Sequence, residues 1–111
     1  MYTIQNKRTT LQHYEKNKAP RDSFYADLII TCMNVVGRHG VTTTEQRKRF
    51  QIIDKMEAAL KNKSKSIDVD DEQFEIIKEC VAATPWITMS RELPEFEDHI
   101  ASLKPDQPKK K

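Results

Sequence analysis

Apolar positions along this chain recur mostly at three- and four-residue spacing, and the spacing predicts four helices between polar ends. Phe24, Leu28, Ile29, Cys32, Met33, Val35 and Val36 wrap widely around the first, which Asp22 or Ser23 would cap and Gly37 would stop. That breadth predicts a central helix, buried on most sides. The run Leu28-Ile-Ile-Thr-Cys-Met33 would also suit a buried strand, but the length of the pattern from 24 to 36 favours helix. A second helix enters through Thr42, with Glu45 three residues on as in a capping box, and continues to about Asn62. Its stripe is Phe50, Ile53, Met56 or Glu57, and Leu60.

Lys61-Asn-Lys-Ser-Lys-Ser66 reads as a solvated linker. Asp68 or Asp70 then caps a third helix with a buried face of Phe74, Ile77, Cys80 and Val81, and Thr84-Pro85 ends it. Trp86 is the expected anchor that closes the bundle. Ser90 would cap a last helix whose stripe is Leu93, Phe96, Ile100 and Leu103, with Pro94 in its first turn. The fold expected is therefore all-α, a small four-helix orthogonal bundle with a central first helix and flexible termini. Residues 1–21 form a basic arm, 22–103 the helical domain and 104–111 a disordered basic tail.

Charge changes this picture by being sorted along the chain, although the formal net charge is only +2. The net charge is +4 over residues 1–21, −2 over 22–37, +5 over 38–65, −8 over 66–103 and +3 over 104–111. A molecule polarised in this way suits docking on charged partners or on its own copies, unless its halves face each other internally. No apolar run reaches the roughly 20 residues needed to span a bilayer. The N-terminal residues lack a signal-peptide apolar region, so a cytoplasmic protein without membrane association is expected.

The candidate chemistry is sparse. Cys32 and Cys80 have no CxxC spacing and read as buried reduced thiols. Asp68 to Glu79 places acidic groups at several positions of a calcium loop, but Gln73 stands where the turn needs Gly. His13, His39 and His99 lack metal-ligand spacing, and Glu95, Glu97 and Asp98 read as the solvated first turns of a helix. No set of residues fills the nucleophile, base and stabiliser roles together. The reading is thus of a protein that is not an enzyme, with no catalytic residues, metal site, cofactor or small-molecule substrate.

Two surfaces remain. An acidic one comprises Asp71, Glu72, Glu75 and Glu79, suited to a basic protein partner. A basic one comprises Arg38, Arg47, Lys48, Arg49 and Lys55, suited to a protein partner, to self-association or to nucleic acid. Two helices joined through a Gly-containing turn loosely suggest a helix-turn-helix reader, so a small DNA-binding regulator, acting through Arg38, Arg47, Lys48, Arg49 and the basic ends with Lys7, Arg8 and Lys109 to Lys111, is the alternative function.

The stretch Arg47-Lys-Arg-Phe-Gln-Ile-Ile-Asp-Lys-Met-Glu-Ala-Ala-Leu60, then Ile67-Asp-Val-Asp-Asp-Glu-Gln-Phe-Glu-Ile-Ile-Lys78 and Pro85-Trp86, resembles small accessory proteins encoded by tailed phages and prophages. The likeness covers about a third of the chain and consists of amphipathic helix grammar. It implies a non-enzymatic virion or assembly component, or a binder of a host protein, in the host cytoplasm or the virion. It carries over no site residues.

Overall fold

The first residues of the chain are where the structure departs most from an all-α bundle. A computed structural model describes residues 1–37, 40–86 and 88–105. Strand β1 (Tyr2–Gln5) pairs antiparallel with β4 (Ser66–Val69), and β2 (Arg8–His13) pairs antiparallel with β3 (Arg21–Phe24). The fold is mixed α and β, and the expected flexible N-terminal arm is instead built into it. The physical reason lies in alternation. In Tyr2-Thr-Ile-Gln and Ser66-Ile-Asp-Val the apolar residues sit two apart, so each strand turns one side to the core and one to water.

Ile4 lies opposite Ile67 and Tyr2 opposite Val69, while on the outer side Thr3 Oγ1 donates to Asp68 Oδ1 at 2.9 Å. The Tyr2 ring stacks on Phe74 with centroids 3.8 Å apart. The second ladder is held by polar pairs: Arg8 meets Asp22 at 2.6 Å, and Gln12 Nε2 donates to the same carboxylate at 2.6 Å. Its register shifts between Arg8 and Gln12.

Helix α1 (Tyr25–Met33) starts later than expected because Asp22 and Ser23 are strand residues rather than caps. Its first amides are satisfied from the N-terminal segment. Tyr25 N donates to the Lys7 carbonyl at 2.9 Å, and Ala26 N donates to Asn6 Oδ1 at 2.9 Å. The buried Asp27 carboxylate accepts from Phe24 N at 2.8 Å and from both terminal nitrogens of Arg21 at 2.8 and 2.9 Å. The central position expected of α1 is observed: Tyr25, Ala26, Leu28, Ile29, Cys32 and Met33 are all buried. The helix stops at Asn34 rather than Gly37, with Asn34 Nδ2 donating to the Ile30 carbonyl at 2.9 Å.

Helix α2 (Thr43–Lys61) has Thr42 as its cap, whose Oγ1 accepts from Glu45 N at 3.2 Å. Its buried stripe is Ile52, Met56 and Ala59, with Ile53 and Leu60 at the margin. Phe50 is a correction to the expected stripe, since it is 55% exposed. Helix α3 (Asp71–Ala83) is capped by Asp70, in a reciprocal box with Gln73, and buries Phe74, Ile76, Ile77, Cys80 and Val81. Thr84 Oγ1 closes it by donating to the Cys80 carbonyl at 2.6 Å. In α4 (Glu92–Ser102), Leu93, Phe96 and Ile100 are buried as their spacing predicts. Trp86 is only half-buried against the core.

The N-terminal strands reach α4 as well. The Glu92 carboxylate accepts from Thr10 N at 3.0 Å and also from Thr10 Oγ1, and Gln5 N donates to His99 Nε2 at 3.2 Å. One core thus joins residues from both ends of the described chain: Ile4, Ile29, Ile52, Met56, Phe74, Ile77, Phe96 and Ile100 are its largest fully buried side chains. Among the described residues, no helix is long and apolar enough to cross a membrane.

Candidate functional site

Helices α2 and α3 carry the charged residues singled out from the sequence, and the fold sends those residues to different places. Consecutive residues on a helix are about 100° apart, so Arg47, Lys48 and Arg49 point in three directions. Arg47 is exposed, without an ion-pair partner among the described residues. Lys48 turns toward α3, where its Nζ lies 3.4 Å from Glu72 Oε2. Seven residues on, and so on the same side, Lys55 donates to Gln73 Oε1 at 3.0 Å. Part of the charge sorting therefore neutralises itself between the basic flank of α2 and the acidic first turn of α3.

Arg49 does something else. Its side chain is 16% exposed, and one guanidinium nitrogen donates to the Met33 carbonyl at 3.2 Å and the Val35 carbonyl at 2.6 Å. Helix α1 has no basic residue in its own last turn, so Arg49 supplies from α2 the positive charge and donors that a helix C-terminus lacks. Glu45 Oε1 lies 3.6 Å from Arg49 Nε. The structure thus places Arg49 against the end of α1, apart from the exposed Arg47. Arg38 and His39 lie outside the described residues.

On α3 the four acidic candidates divide. Asp71 Oδ1 accepts from the amino group of Met1 at 3.0 Å, and Glu72 is engaged by Lys48. Glu75 and Glu79 are exposed and have no ion-pair partner among the described residues. With Glu72 they follow a spacing of three and four, which places all three on one side of the helix. Like charges at i and i+4 cost an isolated helix a few tenths of a kcal/mol, about 0.2 to 0.5. No ion-pair partner among the described residues offsets that cost for Glu75 and Glu79.

Two adjoining cavities flank Arg49. One of about 370 Å³ is lined by Cys32, Val35, Gly37, Gly40, Val41, Arg49, Cys80 and Ala83. The other, of about 210 Å³, is lined by Met33, Asn34, Val36, Val41, Gln46, Arg49, Phe50 and Ile53. Both cysteines are free and buried, and burial pushes the Cys32 thiol up to about 11 and raises that of Cys80. Thiols in that state are protonated near neutral pH and are weak nucleophiles and weak metal ligands.

The second cavity is the feature that periodicity missed. Its rim holds two large apolar side chains open to water, Val36 at 63% exposure and Phe50 at 55%. The signal in the sequence was ambiguous, because Phe50-Ile53-Glu57-Leu60 and Ile52-Met56-Ala59 are both helical stripes and only one faces the core. Comparison with family models, with curated protein sequences and with solved structures gives no match.

Proposed function

We propose that this protein is a non-enzymatic protein-interaction module that takes a basic protein partner on the exposed side of α3, through Glu75 and Glu79 and the neighbouring Glu72 and Asp71. The observation that carries the reading is the pair Glu75 and Glu79: two exposed carboxylates on one side of a helix, uncompensated among the described residues. Carboxylates held in this way retain their hydration until a cationic groove replaces it, which speeds encounter and selects against acidic competitors. The resemblance of residues 47–60 and 67–78 to small accessory proteins of tailed phages supports placing the partner among virion components or host proteins.

Nucleic acid is the weaker reading. Of the residues that reading uses, Arg49 is bonded to the Met33 and Val35 carbonyls, Lys48 is paired with Glu72 and Arg8 with Asp22, while Arg38 and Lys109 to Lys111 lie outside the described residues. Among the described residues of that set, Arg47 and Lys7 are left exposed without an ion-pair partner, fewer than the several phosphate contacts of a specific DNA reader.

The test uses the full chain and the variant Glu75→Lys with Glu79→Lys, which leaves the Lys48–Glu72 pair in place. Crosslinking in cell extract should join a basic protein to the native chain and not to the folded variant, with the yield falling as salt rises. Identical crosslinks from both proteins would reject the acidic surface. Anisotropy of a labelled duplex, titrated in parallel, should stay flat; binding with a salt slope of several released counterions would reject the proposal in favour of a DNA-binding regulator.

A further inference from the structure

The outward side of α2 is self-complementary under a two-fold rotation. Arg47, Phe50 and Asp54 lie at a spacing of three and four, on one exposed stripe with Gln51 beside it. Arg47 and Asp54 are two turns apart, about 10 Å along the axis, and their midpoint falls between Phe50 and Gln51. Neither has an ion-pair partner among the described residues. If a second α2 is laid antiparallel across the first about that midpoint, Arg47 of each copy faces Asp54 of the other, and the two Phe50 rings meet at the centre.

We infer that the protein forms a homodimer through this face. The apolar part of the contact is already shaped for it, since Phe50 stands on the rim of the 210 Å³ cavity whose walls include Met33, Val36, Val41 and Ile53. In the antiparallel arrangement the Phe50 ring of one copy lies against Val36, Val41 and Phe50 of the other, and the contact repeats by symmetry. A closed isologous pair of this kind removes both exposed apolar patches at once. Isolated exposed apolar residues need no explanation, but Val36 and Phe50 border a single cavity and have charges of opposite sign placed on either side. The ion pairs fix the antiparallel register, because a parallel arrangement would put Arg47 against Arg47 and Asp54 against Asp54. This surface does not involve the acidic stripe of α3, so either inference can fail without the other.

Sedimentation velocity of the full chain, from about 1 μM to about 1 mM, spans the dissociation constants of weak and moderate dimers. A concentration-dependent dimer is expected. Phe50→Asp should raise its dissociation constant more than about tenfold while far-UV circular dichroism stays native, since central aromatic residues dominate such contacts. Arg47→Asp and Asp54→Arg should each weaken the dimer, and the double variant Arg47→Asp with Asp54→Arg should return it to within about threefold of the native constant, as expected for a directly coupled pair. A chain that stays monomeric throughout would overturn the inference and leave the apolar face to a different protein. A dimer indifferent to Phe50→Asp, or a double variant as weak as the two losses combined, would overturn it as well.

Discussion

Asn6 should matter more to stability than any other polar residue in the N-terminal segment. It is 7% exposed, and its amide works at both ends: Oδ1 accepts from Ala26 N at 2.9 Å, and Nδ2 donates to the Ser64 carbonyl at 3.0 Å. Ala26 N is one of the first amides of α1, which have no partner within the helix. Asn6→Ala leaves that buried donor unmade, at about 1 to 3 kcal/mol, and loses a second bond worth about 1 kcal/mol to a half-buried carbonyl that water can reach. The expected loss is therefore about 2 to 4 kcal/mol, a large share of the roughly 5 to 15 kcal/mol that holds a small domain together. In urea unfolding, with a slope near 1 to 1.5 kcal/mol per M for a chain of this size, the midpoint should fall by about 1.3 to 4 M. Asn6→Asp keeps the acceptor and adds negative charge at a helix N-terminus, but sets a carboxylate against the Ser64 carbonyl, so its midpoint should lie between the two. Lys7→Ala is the control, because Lys7 contributes its backbone carbonyl to Tyr25 N. If Asn6→Ala unfolds within about 0.3 M of the native protein, the claim that the N-terminal segment caps α1 is wrong.

Three further outcomes follow from buried or bridging groups. Arg49→Ala should cost about 1 to 3 kcal/mol in thermal or urea unfolding by stripping the Met33 and Val35 carbonyls of their donor, whereas Arg47→Ala should stay within about 0.5 kcal/mol. Asp27→Ala should cost about 2 to 4 kcal/mol, because it leaves Phe24 N and the Arg21 guanidinium without the carboxylate they share; Arg21→Ala should cost less, since Asp27 keeps the Phe24 bond. His99 holds its proton less tightly than an ordinary histidine, first through burial and then through the nearby Lys7 charge, and it must be unprotonated at Nε2 to accept from Gln5 N. The unfolded chain therefore binds a proton before the folded one as pH falls. This contribution is complete above the usual histidine range near 6.5 and declines as pH drops through it toward the depressed folded value. His99→Gln retains an acceptor and should flatten that part of the stability profile between about pH 7 and 5, and an unchanged slope would refute the assignment.

Helices α2, α3 and α4 were legible because each carries several signals that agree, whereas the caps expected of α1 were not the ones used. Thr42 and Asp70 are caps with the right residue three positions on, Pro94 occupies a first turn, and Leu93, Phe96 and Ile100 keep helical spacing. The strands were not, because β1 and β4 have four residues each and only two inward apolar positions, too few to distinguish alternation from chance. Their stability comes from each other across more than sixty residues, and no local pattern announces such a pairing. For β2 and β3 the alternation is carried by Thr9, Leu11 and Ser23, of which only Leu11 is apolar, and the buried Thr9 hydroxyl is paid for by its 2.9 Å bond to the Ser23 carbonyl. That Asp71, Glu72, Glu75 and Glu79 share one helix was legible from the charge order along the chain and the helical spacing. The separate fates of Arg47, Lys48 and Arg49 were not, because sequence gives the angle between neighbours on a helix but not which angle faces the core.

That last distinction decides how the charge sorting is understood. A strongly basic helix followed by a strongly acidic one looks, on paper, like two surfaces waiting for two partners. In three dimensions the α2 residues Lys48 and Lys55 turn to α3, Arg49 turns to the end of α1, and even the N-terminal amine is taken up by Asp71. Exposed pairs of this kind contribute little to stability, about 0 to 1 kcal/mol each. The orientation of α2 is set by its buried side, Ile52, Met56 and Ala59, and that orientation determines which charged residues reach α3 and which are left over. Among those left on the outside are Glu75 and Glu79 on one helix and Arg47, Phe50 and Asp54 on the other, the four ionic ones without an ion-pair partner among the described residues. What remains of the diffuse polarity is two compact exposed surfaces with different chemistry, the ones proposed above for a cationic partner and for a second copy of the chain.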